Sequence, residues 1–369
     1  GAMLTASTAS PLVSLSGGSV TTRPGLVLLH PGASLSLDRP LLDAAGTVFV
    51  SGTDPAFADP FISIDRGATL TASTARPLVS LSGGSVTTQA GEDFFHIGVR
   101  PTTSTSPATV TLEGGLLKLA GGSTLNIGSG TLLRVGGGST LTTGAPVLDM
   151  TDTSLNLTGP VVRLEGASTL RTTAGPAIRI SGGSLTLKGS FLSATGSTLS
   201  SGAGRSFMLV SDGADLATTG TAASLLSLTG GSASAGSAAA GGNFFRVTGS
   251  GSTVDLSGQL LVTNGTTITS GNNLVRIADG ASLSSSTGGK LLNFTGGSYT
   301  GGGTLGSFSG GSLLRMFSQQ GQPGTSLTLT GAVPGGYLGS SGGATFTSTD
   351  GSMFSILAFA SSTLWGILG

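Results

Sequence analysis

The side chains able to do chemistry are few and scattered. His30 and His96 are the only histidines, and imidazole is the usual general base near neutral pH. His30 lies in the turn "LLHPGAS"; His96 takes a polar position within "FFHIG". No Gly-x-Ser-x-Gly elbow in a strand-to-helix setting frames a serine nucleophile for either of them. Both histidines therefore read as surface residues, and no catalytic residue is assigned. The segment "GTDPAFADPFISID" brings Asp54, Asp59 and Asp65 together. Carboxylates at that spacing can supply oxygen ligands to a cation such as Ca²⁺. The chain lacks the Asp-x-Asp-x-Asp-Gly loop and the Gly/Asp nonapeptide of calcium-binding β-rolls. The segment reads as a solvated loop on a widened unit, with the three aspartates as weak metal candidates only. A second widened unit, "QAGEDFFHIGVRPTTSTSPATV", is expected to project in the same way.

A third set is periodic. Lys118, Arg134, Arg163, Arg179, Arg246, Arg276 and Arg315 each occupy the polar slot of a recurring apolar–apolar–polar–apolar word, and Asp149 takes that slot between Arg134 and Arg163. Opposite charges stacked at strand spacing stabilise modestly. The set reads as a solvated ladder that holds register, with a stripe for an acidic glycan as its functional alternative. A polysaccharide-cleaving site would need paired carboxylates in a groove. Here the acids are dispersed, and Trp365, Tyr299 and Tyr337 are the only aromatics besides fifteen Phe, most of which fall in core slots.

The elements that carry these residues follow from the same word. It occurs as "PLVSL" at Pro11 and Pro77, "PFISI" at Pro60, "PVLDM" at Pro146, "PVVRL" at Pro160 and "PAIRI" at Pro176. With weaker members there are nineteen occurrences between Leu12 and Leu313, about 16 to 17 residues apart. A short fixed period marks a solenoid. Between the words lies a Gly-Gly or Gly-Ala turn, a small hydroxyl residue and one apolar residue, as in "SGGSV" and "DGASL". The apolar runs are short, rich in Val, Ile, Leu and Phe, and bounded by Gly, Ser, Asn, Asp or Pro, which are strand signals. No stretch sustains helical periodicity. A strand this short cannot bury its own apolar face, but stacking equivalent strands of successive units does so. The nineteen residues from Leu4 to Thr22 recur from Leu70 to Thr88 with one change, Ser10 to Arg76. That duplication spans four units. An even number favours two units per coil, about 30 to 33 residues. The expected fold is all-β: a single parallel β-solenoid over residues 4–316, wound right-handed. Residues 1–3 read as a scar of tag cleavage, and 317–369 as an irregular C-terminal segment.

Two details of the word pull in different directions. In a simple strand its first apolar residue would share the outer face with the polar slot, which would expose Leu12, Phe61, Leu78, Phe94 and Val147. Either a corner after Pro tucks them in, the favoured reading, or an apolar stripe lies open to a lateral partner. Thr also recurs beside the second strand's apolar residue, at Thr5, Thr21, Thr71, Thr87, Thr111, Thr142, Thr186, Thr269 and Thr300. A Thr array of that kind is a minor pointer to ice binding, interrupted by Asn126, Asn156, Arg171 and Asp255.

Composition narrows the partners. Formal net charge is zero and there is no basic run, whereas nucleic-acid binding depends on phosphate neutralisation by clustered cations. Without cysteine there is no disulfide framework and no thiolate metal site. The tail "MFSILAFASSTLWGILG", Met353 to Gly369, is uncharged but short for a membrane span. It reads as a cap over the last coil, with a membrane or partner contact as the alternative.

Through "PLVSLSGGSVTT", "DGASLSSSTGGKLLNFTGGS" and "GGSTLTTGAPVLDM", the stretch from Leu4 to Met316 resembles the β-helical passengers of bacterial surface proteins, the filamentous-haemagglutinin-type exoproteins and autotransporter adhesins. The resemblance implies a secreted or cell-surface rod without enzymatic activity or cofactor, structural or adhesive, self-associating or holding a host or cell-surface glycan. The alternatives are a β-helical polysaccharide-active enzyme or glycan-binding module and, as a minor one, an ice-binding solenoid.

Overall fold

A computed structural model gives the chain as an all-β parallel solenoid. It describes residues 3–6, 10–22, 25–51, 60–88, 92–98, 106–219, 224–236, 241–285, 292–295 and 297–301, and beyond 301 strands alone. Four strands make one turn, and equivalent strands stack into four columns. The first column runs unbroken through eleven strands, from Met3–Ala6 to Ser326–Leu329. The second has eleven, from Val13–Ser16 to Leu338–Ser341. The fourth has ten, from Val27–Leu29 to Gln319–Gly321. The third divides into five strands ending at Thr153–Leu157 and six beginning at Ser184–Leu187. Strand pairing thus continues past residue 316, to Thr345–Thr347; the tail from Met353 to Gly369 lies outside the described residues.

One turn holds two of the recurring words. In the regular stretch Thr143 meets Thr172, 29 residues on, through their hydroxyls. Where a unit is widened the step grows: Ser85 pairs in register with Thr124, 39 residues on. The duplicated segments fall in the same columns two turns apart, with Leu4 over Leu35 over Leu70 and Val13 over Leu42 over Val79.

The core is the lumen of the coil. Side chains alternate along most of the described strands, as in Thr153–Leu157, where Thr153, Leu155 and Leu157 are buried and Ser154 and Asn156 exposed; Ile62–Ile64 and Phe95–Ile97 are buried throughout. Rings stack from turn to turn: Phe61 on Phe94 at 5.0 Å and 18°, Phe207 on Phe244 at 5.1 Å and 7°. The corner reading is the observed one. The chain bends at the first apolar residue of the word and turns it inward, so Phe61, Leu78, Phe94 and Val147 are all buried. Leu12, in the outermost turn with a neighbour on one side only, is 40% exposed. Where a proline precedes the bend it gives up a donor but keeps its acceptor: the carbonyl of Pro40 takes the Leu12 N–H at 2.9 Å.

At the glycine corner two demands coincide. Gly84 has φ +76°, in the left-handed region, and a Cβ there would sit 2.2 Å from the carbonyl oxygen of Thr47 in the turn before. Some of the polar groups that face inward at corners pair along the stack. Asn273 Nδ2 donates to Asn243 Oδ1 at 3.0 Å, both residues being buried.

Candidate functional site

Two units per turn sort the polar slots onto two columns. On the second column the outward register reads Asp43, Ser80, Lys118, Asp149, Arg179, Leu209, Arg246, Arg276. On the fourth it reads Ser63, His96, Arg134, Arg163, Ser193. Lys118, Asp149 and Arg179 therefore alternate in charge along one column. Arg179 Nε lies 3.9 Å from Asp149 and its Nη2 3.8 Å from Asp212, with the arginine 43% exposed. Such open pairs contribute about 0–1 kcal/mol each. Arg315 ends the strand Leu313–Arg315, which belongs to the third column.

The fourth column holds a buried polar cluster at the widened turn. His96 is 1% exposed, against the surface position expected for it. Its Nδ1 lies 3.2 Å from Asp93 Oδ2. Asp93 Oδ1 accepts the Thr131 backbone N–H at 2.9 Å, and Arg134 Nη1 lies 3.7 Å from Oδ2. Burial alone would push the Asp93 carboxyl up. The hydrogen bond and charge of His96, the Arg134 guanidinium and the Thr131 N–H outweigh it, and the carboxyl sits below the ordinary carboxylate value. Sequence reasoning passed over Asp93; its signal is the pair Glu92–Asp93 directly before a Phe-Phe word.

This cluster does not assemble a nucleophile and base. Ser63, His96's register neighbour, gives its hydroxyl to Asp65 Oδ1 at 2.9 Å. His96 Nε2 has no hydrogen-bond partner among the described residues. His30 is exposed in its turn. Asp65 is thereby tied to its own strand, and Asp54 and Asp59 lie outside the described residues. Among the described residues no three His, Asp or Glu side chains converge as a metal site would require.

Arginines stack on arginines twice, with different surroundings. On the fourth column Arg134 pairs Arg163 in register, and the Glu165 carboxylate bridges them, bonded to the Arg134 guanidinium and 3.6 Å from Arg163 Nε. Like charges directly opposite are destabilising, and a shared carboxylate removes the penalty. On the second column Arg246 pairs Arg276, and no carboxylate lies within ion-pair distance of either among the described residues. The Nε of both is buried without a hydrogen-bond partner among the described residues. Asp279, the nearest acid, accepts the Thr248 hydroxyl at 2.6 Å instead. Burial first, then the charge of Arg276, pull the Arg246 guanidinium below its ordinary value, and Asp279 opposes them.

The hydroxyl residues are sorted as well. Asn126, Asn156 and Asp255 belong to the third column, together with Thr21, Thr87 and Thr186. The first column keeps Ser and Thr in two outward files. One runs Ser34, Thr69, Thr109, Thr140, Thr169, Thr198, Ser232, Thr267, Ser298. The other runs Ser36, Thr71, Thr111, Thr142, Arg171, Ser200, Ser234, Thr269, Thr300, broken only by Arg171. All are exposed or half-exposed.

Comparison of the chain with known protein families, curated proteins and solved structures finds no match. No helix is long and apolar enough to cross a membrane among the described residues.

Proposed function

We propose that the chain is a non-enzymatic, extracellular structural or adhesive rod, the role implied by its resemblance to bacterial surface β-helices. The observation that carries this reading is the separation of scaffold from surface. Inner positions of successive turns repeat Leu, Val, Ile and Phe, while the outward slot of the second column changes from Asp43 to Ser80 to Lys118 to Leu209 without disturbing register. A stack built that way presents a long, variable exterior on an invariant core. Beads coated with the protein are expected to be retained on immobilised acidic polysaccharide, with no reducing ends or unsaturated sugars released. Absence of retention on any acidic or neutral polymer would overturn the adhesive role; sugar release would favour the polysaccharide-active alternative.

A second reading rests on the first column alone. Its two hydroxyl files repeat about 4.8 Å along the rod and about 6.7 Å across it, spacings close to those of oxygens on an ice face, on a surface with one charge. Ice-crystal shaping in the cold, abolished by Thr142→Tyr at the middle of the array, is the expected result. Unshaped crystals from the unmodified protein would dismiss it.

A further inference from the structure

The two arginine pairs differ in one respect that carries a consequence. At Arg134 and Arg163 the chain itself provides the anion, because Glu165 follows Arg163 by two residues in "VVRLEGAS". At Arg246 and Arg276 the corresponding sequence is "LVRIADGAS", and Ala278, fully buried, takes the place two residues on. The acid arrives one residue later, as Asp279, whose φ of 58° sets it into the corner, where it holds Thr248. Thirteen of the sixteen acidic residues are described, and none of them forms an ion pair with Arg246 or Arg276. Two half-buried guanidiniums are thus stacked one strand apart with no bridging carboxylate among the described residues, and the charge of Asp279 offsets their repulsion only in part. Among the described residues Arg246 makes one weak side-chain hydrogen bond, Nη2 to Thr248 Oγ1 at 3.4 Å.

We infer that Arg246 and Arg276 form a subsite for a carboxylate supplied from outside, in the place that Glu165 fills between Arg134 and Arg163, and that its source is a uronic-acid polysaccharide. A planar carboxylate matches the guanidinium fork and can bridge two of them. Leu209 lies next in the column on one side of the pair, and Thr248 stands beside it. An apolar sugar face and its hydroxyls have partners in these two side chains. The inference rests on the adhesive reading of the rod and names where a glycan would be held.

The test is titration of the full chain with an oligogalacturonate, read by calorimetry and by hydrogen-exchange protection of Phe245–Thr248 and Val275–Ala278. Saturable binding with added protection in these two strands is expected. Arg276→Gln and Arg246→Gln are each expected to weaken it about tenfold to a hundredfold, the loss of a charge-assisted contact. Arg179→Gln removes the same charge from the same column and is expected to leave affinity unchanged. Because the substitutions relieve like-charge repulsion, unliganded variants are expected to unfold no earlier than the parent, which separates lost binding from lost fold. Equal weakening by Arg179→Gln would overturn the subsite in favour of diffuse attraction, and so would binding without protection of the two strands. Equal affinity for polyglutamate would overturn the sugar source. If coated beads are retained on polysaccharide while Arg276→Gln changes nothing, the subsite fails and the adhesive rod stands. If nothing is retained, the rod's adhesive role fails as well.

Discussion

Gly18 and Gly84 occupy the same place in the two copies of the duplicated segment, with φ +74° and +76°. Alanine at either must adopt the left-handed conformation, at about 1–2 kcal/mol. Beyond that the sites part. A Cβ on Gly18 meets nothing within 4 Å, whereas on Gly84 it lies 2.2 Å from the Thr47 oxygen and 2.7 Å from the Thr47 nitrogen. Backbone cannot rotate away as a side chain can, so the turn carrying Thr47 must retreat by about 1 Å to reach ordinary contact. That retreat breaks the Ser85 N–H to Thr47 carbonyl bond, now 3.1 Å, at about 1–3 kcal/mol. Gly84→Ala is therefore expected to cost about 2–5 kcal/mol, and Gly18→Ala about 1–2. In a solenoid the loss falls on neighbouring turns and not on one global transition. Hydrogen exchange over Val48–Ser51 and Ser85–Thr87 is the appropriate assay. Protection there is expected to fall about thirtyfold or more for Gly84→Ala. Gly122→Ala is the interior control, one turn on, with φ +76° and open space; it is expected to lose about tenfold in its own turn. Equal losses for Gly84→Ala and Gly122→Ala would refute close stacking as the reason for glycine at this corner.

Three further outcomes follow from the core and the buried cluster. Asp93 has its carboxyl below the ordinary value, so its contribution is present above the unfolded carboxylate range and is lost as pH falls through the lowered value. The stability gap between the protein and Asp93→Asn, measured by urea unfolding, is expected to be widest near neutrality and to close with acidification; a gap independent of pH would contradict this. Phe244→Ala removes a buried ring stacked on Phe207 and is expected to cost about 3–5 kcal/mol, read as exchange localised to the turns of Phe207 and Phe244. Tyr299 is buried in the lumen with its hydroxyl 2.7 Å from Ser270, and burial pushes its phenol up to about 12. Ultraviolet titration is expected to show one of the two tyrosines resisting ionisation until about that pH; two tyrosines ionising together near 10 would refute its burial.

The repeat was legible because one apolar word recurs with its proline and its glycine corner, and because the Leu4–Thr22 copy spans an even number of words. The inward bend at Phe61 and Phe94 was one of two readings, since alternation in a straight strand argues the other way. The position of His96 was not legible: its word looks like the others, and it meets Ser63 and Arg134 only once the turns are stacked. The sorting of Thr onto the first column and of Asn126, Asn156 and Asp255 onto the third was also hidden, because it needs the length of every turn at once. A linear list mixed the two files. The unmatched pair of Arg246 and Arg276 emerged only when the slot was read in register with Glu165 and Asp279.

The stacking of the two copies bears on how such a chain changes length. Leu4–Thr22 and Leu70–Thr88 lie two whole turns apart, with the turn of Asp43 between them. Recombination between them would add or remove an integral number of turns and leave every remaining ladder in phase. The protein can thus behave as a ruler that evolution lengthens in fixed increments. The single residue that has diverged shows how a new increment is adapted. Arg76, where the earlier copy has Ser10, reaches Asp43 of the intervening turn at 2.6 Å. A copied turn can thus acquire its own bond to the older one while the interior stays as it was.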